Sequence, residues 1–135
     1  MTVNELARAA GVGPGKVRYY ARRGLLPARR EPSNGYRSFE TAALARLRFI
    51  AGGRALGFSL KELGRSLAQA DAGRSPCPQV RVLLDERIAA VAAQRRALER
   101  EEARLNAIVA QWAALSDGVP DEQRVCPLIE VARST

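Results

Sequence analysis

The sequence predicts a mainly α-helical fold, in which a winged helix-turn-helix domain is followed by a long antiparallel coiled-coil helix and a short C-terminal loop and helix. Near the N-terminus, a short helical pattern and a glycine turn precede a cationic stretch with two adjacent tyrosines, KVRYYARRGLL. That order is typical of a helix-turn-helix. The dipeptide Asn34-Gly35 then predicts a hairpin turn, and residues 79–112 keep a helical pattern without glycine or proline.

The first helix is predicted over residues 3–10. Thr2 is in the position of an N-cap, and Glu5 lies three residues later, where a capping-box partner is expected. Leu6 falls on the apolar face of this helix. Gly11 can adopt the left-handed backbone that ends a helix, so we expect a tight turn there.

The second helix is predicted from Pro14, a residue favoured in the first turn, to about residue 23, and Gly24 ends it. Val17 and Tyr20 are three residues apart and are expected to face the core. The remaining side chains of this helix are then free to face outward, which places cations and an aromatic ring on one exposed surface. The outward-facing residues are Lys16, Arg18, Tyr19, Arg22 and Arg23.

Residues 27–38 contain two prolines and the sequence Ser-Asn-Gly, so they predict a two-stranded wing rather than a helix. Helical periodicity returns over residues 40–55 and ends at Gly57. Ser59 then predicts a further helix, with Glu62 in the capping-box position. A glycine- and proline-containing linker over residues 70–76 separates this part of the chain from the long helix.

The long helix carries a heptad stripe, which predicts pairing with another helix. Its middle is charged: Arg95 and Glu102 lie symmetrically about its centre, so an antiparallel pair of identical helices would bring Arg95 of each copy to Glu102 of the other. The sequence therefore predicts an antiparallel homodimer; the alternative is a helix packed on its own N-terminal domain. The predicted dimerisation residues are Leu84, Ile88, Val91, Arg95, Leu98, Glu102, Leu105, Val109 and Trp112.

Charge is distributed unevenly between the two parts of the chain. Residues 1–75 hold 14 Lys and Arg against 5 Asp and Glu, whereas residues 76–135 hold 8 against 9. A basic module beside a neutral one indicates binding of a polyanion such as nucleic acid. The alternative is that the cations are merely solvated. No apolar stretch is long enough to cross a membrane and no signal peptide is evident, so we expect a cytoplasmic protein without a membrane partner.

The sequence contains two cysteines and no histidine. A structural disulfide is not expected in a reducing cytosol, and a four-ligand zinc finger is excluded by the residue count. With no histidine and no glycine-rich phosphate loop, no catalytic constellation is present. We therefore predict that the chain is not an enzyme.

Taken together, the runs NELARAAGV, VRYYARRGLLP, NGYRSF, LARLRFI and LGFSLKEL resemble the MerR family of transcriptional regulators. The resemblance implies a winged helix-turn-helix over residues 1–75, a dimerisation helix over 76–112 and an effector-binding loop and helix over 113–135. It also implies partners: double-stranded promoter DNA, RNA polymerase and a second copy of the chain. On the second helix, Lys16, Arg18 and Tyr19 are expected to enter the major groove of DNA, and Tyr20 and Arg23 to support the helix or contact a phosphate. Tyr36 and Arg37 of the wing, together with Arg54, are expected to contact phosphates.

The cysteines are in segments that resemble the metal-responsive members of that family. CPQVRVLLDERIAAV, from Cys77, resembles the start of the long helix in lead-, cadmium- and zinc-responsive members, and CPLIE, from Cys126, resembles the end of the metal loop in mercury and copper members. Where those members carry a further cysteine, this chain has Trp112 by helix register or Asp117 by loop spacing. Two thiolates plus an oxygen from Asp117, Asp121 or Glu122, or from a backbone carbonyl, would suit Zn, Cd, Pb or Hg.

The predicted function is thus a DNA-binding regulator that senses a thiophilic metal and switches a promoter by distorting operator DNA. A first alternative is a thiol-based regulator that responds to oxidants or electrophiles. A more remote alternative is an organic ligand held near Trp112, with inert cysteines.

Overall fold

The computed structural model describes residues 1–134 and confirms the mainly helical fold. The strands β1 and β2 form an antiparallel pair in the register Arg29 to Ser38 and Arg30 to Arg37. The elements in chain order are α1 (Val3–Ala10), α2 (Pro14–Arg22), β1 (Arg29–Arg30), β2 (Arg37–Ser38), α3 (Ala42–Ala55), α4 (Leu60–Asp71), α5 (Cys77–Trp112) and α6 (Pro127–Arg133).

The N-terminus of α1 is capped as predicted, but by one bond rather than two. The Thr2 hydroxyl accepts a hydrogen bond from the backbone N–H of Glu5 over 3.1 Å. Thr2 also forms an isolated antiparallel bridge with Ser38. This bridge ties the start of α1 to the wing. The reciprocal bond of a capping box, from the Thr2 N–H to the Glu5 carboxylate, is not formed among the described residues. Gly11 ends the helix with φ of 71°.

The α3–α4 hairpin is closely packed. Both bonds of the capping box predicted for α4 are present: the N–H of Glu62 donates to Ser59 Oγ over 3.0 Å, and the N–H of Ser59 donates to Glu62 Oε1 over 2.8 Å. These bonds with Ser59 hold the pKa of the Glu62 carboxyl below its ordinary value. Gly53 lies against Leu63, where a Cβ would overlap the leucine side chain.

A half-buried arginine joins three segments of this region. Arg46 in α3 donates from Nε to the carbonyl oxygen of Leu25, just after α2, over 3.0 Å. Its Nη1 lies 2.6 Å from Oδ1 of Asp71, the last residue of α4. Because its side chain is only 20% exposed, this pair is better shielded from solvent than the other ion pairs of the described chain.

The wing loop runs from Glu31 to Tyr36. The N–H of Glu31 donates to the carbonyl of Tyr36 over 2.7 Å, and the Asn34 side chain accepts from the N–H of Tyr36 over 3.0 Å. Gly35 has φ of 73°, a conformation that glycine adopts without steric cost. Asn34 and Gly35 thus form the turn between the two wing strands, as their sequence predicts.

The chain divides into two compact units, Met1–Arg87 and Ile88–Thr135. The boundary lies inside α5, further along the chain than residue 75, because Val80 and Leu83 of α5 pack on the core of the first unit. No helix in the described part of the chain is both long and apolar enough to span a membrane. The buried core of the first unit consists of Leu6, Ala7, Val17, Tyr20, Leu26, Phe39, Ala43, Leu47, Ile50, Phe58, Leu63, Leu67 and Leu83.

The second unit has a small anchored end on a largely exposed helix. Ile108 is 6% exposed and is its only buried apolar residue among those described. Nε1 of Trp112 donates to the carbonyl oxygen of Leu128 over 2.9 Å, which fastens α6 to the end of α5. Gly118 lies against Pro127, since a Cβ there would be 2.5 Å from the proline Cγ.

Candidate nucleic-acid interface and effector site

The cationic helix α2 is held by one face and exposed on the other. Val17 is fully buried and Tyr20 is 5% exposed, so the core fixes how the helix is rotated. Lys16 and Arg18 are exposed, and so is Tyr19 at 39%. The predicted outward face is therefore available to a partner.

Tyr20 supports this helix from within the core. Its ring is buried, and its centroid lies 5.9 Å from that of Tyr19 at an interplanar angle of 51°. Of the two roles considered for Tyr20, contact with a phosphate and support of the helix, the burial favours support. On the exposed side of this tyrosine pair, Arg23 Cζ lies 5.8 Å from the centroid of Tyr19, within range of a cation–π contact.

A groove of about 640 Å³ lies between α2, the wing and the first turn of α1. Arg18 lines it from α2, and Arg30, Tyr36 and Arg37 line it from the wing, whereas no carboxylate of residues 1–134 does. Such a cationic groove suits a phosphate backbone, because Arg binds phosphate oxygens through a planar fork of donors. The remaining lining residues are Thr2, Val3, Asn4 and Gly35.

Two residues of this groove were not singled out by the sequence. Arg30 precedes the wing turn, and its Nη1 donates to the carbonyl oxygen of Gly35 over 3.0 Å, so it also holds the wing loop. Asn4 is exposed in the first turn of α1. Arg30 could have been found by its charge beside the turn signal, but nothing local marks Asn4, which reaches the groove only because α1 packs beside the wing.

Arg54 lies at the end of α3, away from this groove's lining. It is exposed, and its Nη1 donates to the carbonyl oxygen of Phe58 over 2.9 Å. That bond bridges the turn between α3 and α4. The remaining guanidinium donors are free of any other described hydrogen bond.

The two cysteines are free thiols at the starts of two helices. Cys77 begins α5 and is exposed, with its N–H donating to Ser75 Oγ over 3.3 Å. Cys126 is the N-cap residue of α6 and is half-buried. Within the described chain, no group of three or more Cys, Asp or Glu side chains could hold a metal ion.

Asp117 and Cys126 line two neighbouring cavities of the C-terminal loop. The cavity at Cys126 has a volume of about 430 Å³, and the carboxylates that also line it are Asp121, Glu122 and Glu130. The cavity at Asp117 has a volume of about 320 Å³ and is also lined by Asp121. Of the carboxylates considered as oxygen donors, Asp121 and Glu122 therefore line the cavity of Cys126, whereas Asp117 lines the neighbouring one.

Asp121 organises this loop. Its Oδ1 accepts from the backbone N–H groups of Arg124, over 2.9 Å, and of Gln123, over 2.8 Å. These bonds hold the pKa of the Asp121 carboxyl below its ordinary value. One carboxylate oxygen is thus already occupied by the fold, which makes Asp121 a weaker candidate ligand than its neighbour Glu122.

The heptad stripe of α5 is open to solvent in the single chain. Leu98, at its centre, is 70% exposed, and Arg95 makes only a long ion pair of 3.7 Å with Glu99. Trp112 is half-buried and its indole N–H is engaged by Leu128, so its described contact is structural. The other exposed apolar members of the stripe are Leu84, Ile88, Val91, Leu105 and Val109.

Comparison with known proteins identifies the family to which this chain belongs. The family described as "MerR HTH family regulatory protein" matches residues 1–70, and the one described as "MerR, DNA binding" matches residues 44–108. The chain belongs to the MerR family. It is accordingly a DNA-binding transcriptional regulator, in a family of regulators rather than enzymes.

Three relatives illustrate the range of these MerR proteins. A mercuric resistance operon regulatory protein of Serratia marcescens is 32% identical over 129 residues, covering 96% of this chain and 85% of that one. A transcription regulator of Ralstonia metallidurans CH34, solved in complex with lead(II), has a TM-score of 0.72 and 27% identity over 97% and 98% of the two chains. HiNmlR, a MerR family regulator lacking the sensor domain and bound to promoter DNA, has a TM-score of 0.54 and 25% identity, covering 82% and 83%.

Proposed function

We propose that this MerR protein is a homodimer that switches a promoter in response to a thiophilic divalent metal ion. The observation that carries the proposal is the pair of free thiols, each at the start of a helix that borders a loop, in a chain whose relatives include a mercuric resistance regulator and a lead(II)-bound regulator. Soft thiolate ligands select such ions over harder ones.

The dimer follows from the exposed stripe of α5. A helix of 36 residues that leaves its apolar stripe open to water gains stability by pairing, because burying each large apolar side chain contributes about 1.5–3 kcal/mol. In the antiparallel arrangement, Arg95 of each copy would meet Glu102 of the other. The alternative, packing of the stripe on its own N-terminal domain, finds no support, since the stripe is exposed in the single chain.

Cys77 and Cys126 would meet between protomers. In an antiparallel pair, the start of one long helix lies near the end of the partner's, and Cys126 belongs to the segment fastened there by Trp112. A bound thiophilic ion would link the two thiolates. Among the candidate oxygen donors, Glu122 and Asp121 both share a cavity with Cys126, but Asp121 is engaged by backbone N–H groups. Asp117 lines the neighbouring cavity.

The DNA side of the mechanism uses the cationic residues of the first unit. Arg18 and Tyr19, with Lys16, would enter the major groove, while Tyr36, Arg37 and Arg54 would contact phosphates that set the register. Linking the thiols would favour one of two dimer geometries, and the recognition helices would then bend and untwist the operator at a cost of a few kcal/mol, about 1–6 by elastic estimates. RNA polymerase would use the promoter in one geometry and not in the other.

The metal proposal is tested on the full-length protein with Zn²⁺, Cd²⁺, Pb²⁺ and Hg²⁺. We expect one or two ions per dimer in native mass spectrometry, metal-dependent transcription in vitro, and loss of both in Cys77→Ser and Cys126→Ser. Ser116→Ala, in the same loop, serves as the control and should behave as wild type. Metal binding that survives both cysteine substitutions would refute the proposal.

The DNA-reading proposal has its own test. Arg18→Ala should lose binding to the target promoter while keeping the wild-type unfolding midpoint, because Arg18 is exposed and contributes no core packing. Fluorescence anisotropy measures the affinity, and circular dichroism measures the unfolding. An unchanged affinity would remove Arg18 from the reading surface.

Thiol chemistry is the second candidate function, and the exposure of Cys77 favours it. An exposed thiol that belongs to no group of three or more metal-ligating side chains in the described chain is accessible to oxidants and electrophiles. Mass spectrometry distinguishes the two candidates: a covalent adduct on Cys77 that alters transcription without metal supports this one.

A further inference from the structure

Arg87 of α5 covers the turn between α3 and α4. Gly57 in this turn has φ of 91°, and a Cβ placed on it would lie 2.5 Å from Nε and 2.9 Å from Cζ of Arg87. The guanidinium thus rests directly on the glycine, in space that any other side chain would fill. Arg87 is half-buried.

A second guanidinium holds the same turn. Arg54 bridges it through the 2.9 Å bond to the carbonyl oxygen of Phe58. Two cations are therefore built onto the five residues from 54 to 58, one from α3 and one from the long helix.

Neither cation has an acidic partner in the described chain. No carboxylate of residues 1–134 lies within 4.0 Å of either guanidinium. The nearby Glu62 is engaged by the N–H of Ser59, and Glu86, which precedes Arg87, is exposed. A half-buried charge without a counter-ion carries a desolvation cost, so the guanidinium of Arg87 would be stabilised by an anion beside it.

We propose that Arg54 and Arg87 form a two-arginine site for a phosphodiester group of the DNA backbone, one in each protomer. The site rests on the proposed function and deepens it by adding Arg87, which no sequence pattern marks. Guanidinium groups suit this ligand because their planar donors match the geometry of phosphate oxygens. The groove formed by α2 and the wing is lined by other residues, so this is a separate contact.

The location of Arg87 gives the site a consequence for regulation. Arg87 belongs to α5, the helix that begins at Cys77 and carries the heptad stripe. A phosphate contact through Arg87 would join this helix directly to the operator. A displacement of α5 would then reach the DNA through the residue itself, in addition to the path through the core of the first unit.

The experiment measures binding of the full-length protein to a target-promoter duplex of about 30 base pairs, long enough for two half-sites, by fluorescence anisotropy over a range of salt concentrations. Arg87→Gln is the main variant, because glutamine keeps a long planar side chain on Gly57 and removes only the charge. Arg87→Lys retains the charge. Arg81→Gln, an exposed arginine on the same helix, is the matched control.

We expect Arg87→Gln to lower the slope of log K against log salt by about 1 for each lost contact, hence about 2 per dimer, and to weaken binding roughly tenfold. Arg54→Gln should give a similar change. Arg87→Lys should keep most of the slope, and Arg81→Gln all of it. The unfolding midpoint of each variant is measured alongside, so that loss of folding is recognised.

A wild-type slope in folded Arg87→Gln would overturn the site, and so would an equal loss in Arg81→Gln, which would reflect net charge alone. If wild-type protein itself fails to bind duplex DNA, the proposed function fails instead. The two failures are therefore distinguishable.

Discussion

The two compact units of this chain differ in how far they bury their apolar side chains. In Met1–Arg87, thirteen buried residues from the helices, the wing and the start of α5 form one core. In Ile88–Thr135, Ile108 alone is buried among the described apolar residues, while Leu98, Val109 and Ile88 are 58% exposed or more. The first unit is stabilised by contacts within one chain. The second leaves its apolar stripe exposed in the single chain, and the proposed homodimer would cover it.

The largest difference between the units should appear when a leucine is truncated in each. Leu47→Ala removes a fully buried side chain and should lower the unfolding free energy by about 2–5 kcal/mol. Leu98→Ala removes an exposed one and should instead weaken dimerisation, making the Tm more dependent on protein concentration. Calorimetry at two concentrations checks both. Equal losses of stability in the two variants, independent of protein concentration, would contradict this difference between the units.

Adjacent glycines in α3 sharpen the description of the first unit. Gly53→Ala should destabilise the protein by about 1–3 kcal/mol, because the added Cβ would overlap Leu63 in a filled core. Gly52→Ala, one residue earlier, meets no atom within 4 Å and should stabilise the helix by roughly 0.5–1 kcal/mol. Chemical denaturation measures the two. Stabilisation by both substitutions would show that helix propensity, not packing against Leu63, decides the effect at Gly53.

Charge reversal tests how the second unit pairs. Arg95→Glu or Glu102→Arg alone should raise the dimer Kd roughly tenfold, since each places like charges together at the interface, and a coupling of about 1.4 kcal/mol corresponds to that factor. The double variant should recover most of the affinity. Sedimentation or mass photometry measures the Kd. Additive losses in the double variant would exclude the antiparallel pairing of these two residues.

The smallest effect concerns the pH dependence of the C-terminal loop. Backbone N–H groups of Arg124 and Gln123 lower the pKa of Asp121, so its stabilisation is complete above the ordinary pKa of about 3.9 and is lost as pH falls through the lowered value. We expect fluorescence of Trp112, the only tryptophan, to change in that acidic window as the loop loosens.

Asp121→Asn retains an oxygen acceptor but cannot ionise, and should remove this transition from the fluorescence curve. Asp117→Asn is the matched control and should leave the transition in place. Superimposable curves for wild type and Asp121→Asn would show that another group governs the loop.

Local patterns in the sequence determined much of this protein. The helix starts at Thr2, Pro14 and Ser59 depend on neighbours within three or four residues, so they could be predicted, as could the mainly helical fold and the family. The heptad stripe was also predictable, because its period alone places those side chains on one face. The regulatory class followed from the ordered motifs and from the excess of positive charge in the first part.

Only the tertiary structure decided which side chains meet across elements. It buried Tyr20, brought Arg30 and Asn4 to the groove beside Arg18, placed Arg87 on Gly57, and used Trp112 to hold Leu128. It also left the two cysteines without a three-ligand cluster in the described chain. Such contacts depend on how helices pack and how loops return, and these are set by the summed burial of the whole core rather than by spacing along the sequence.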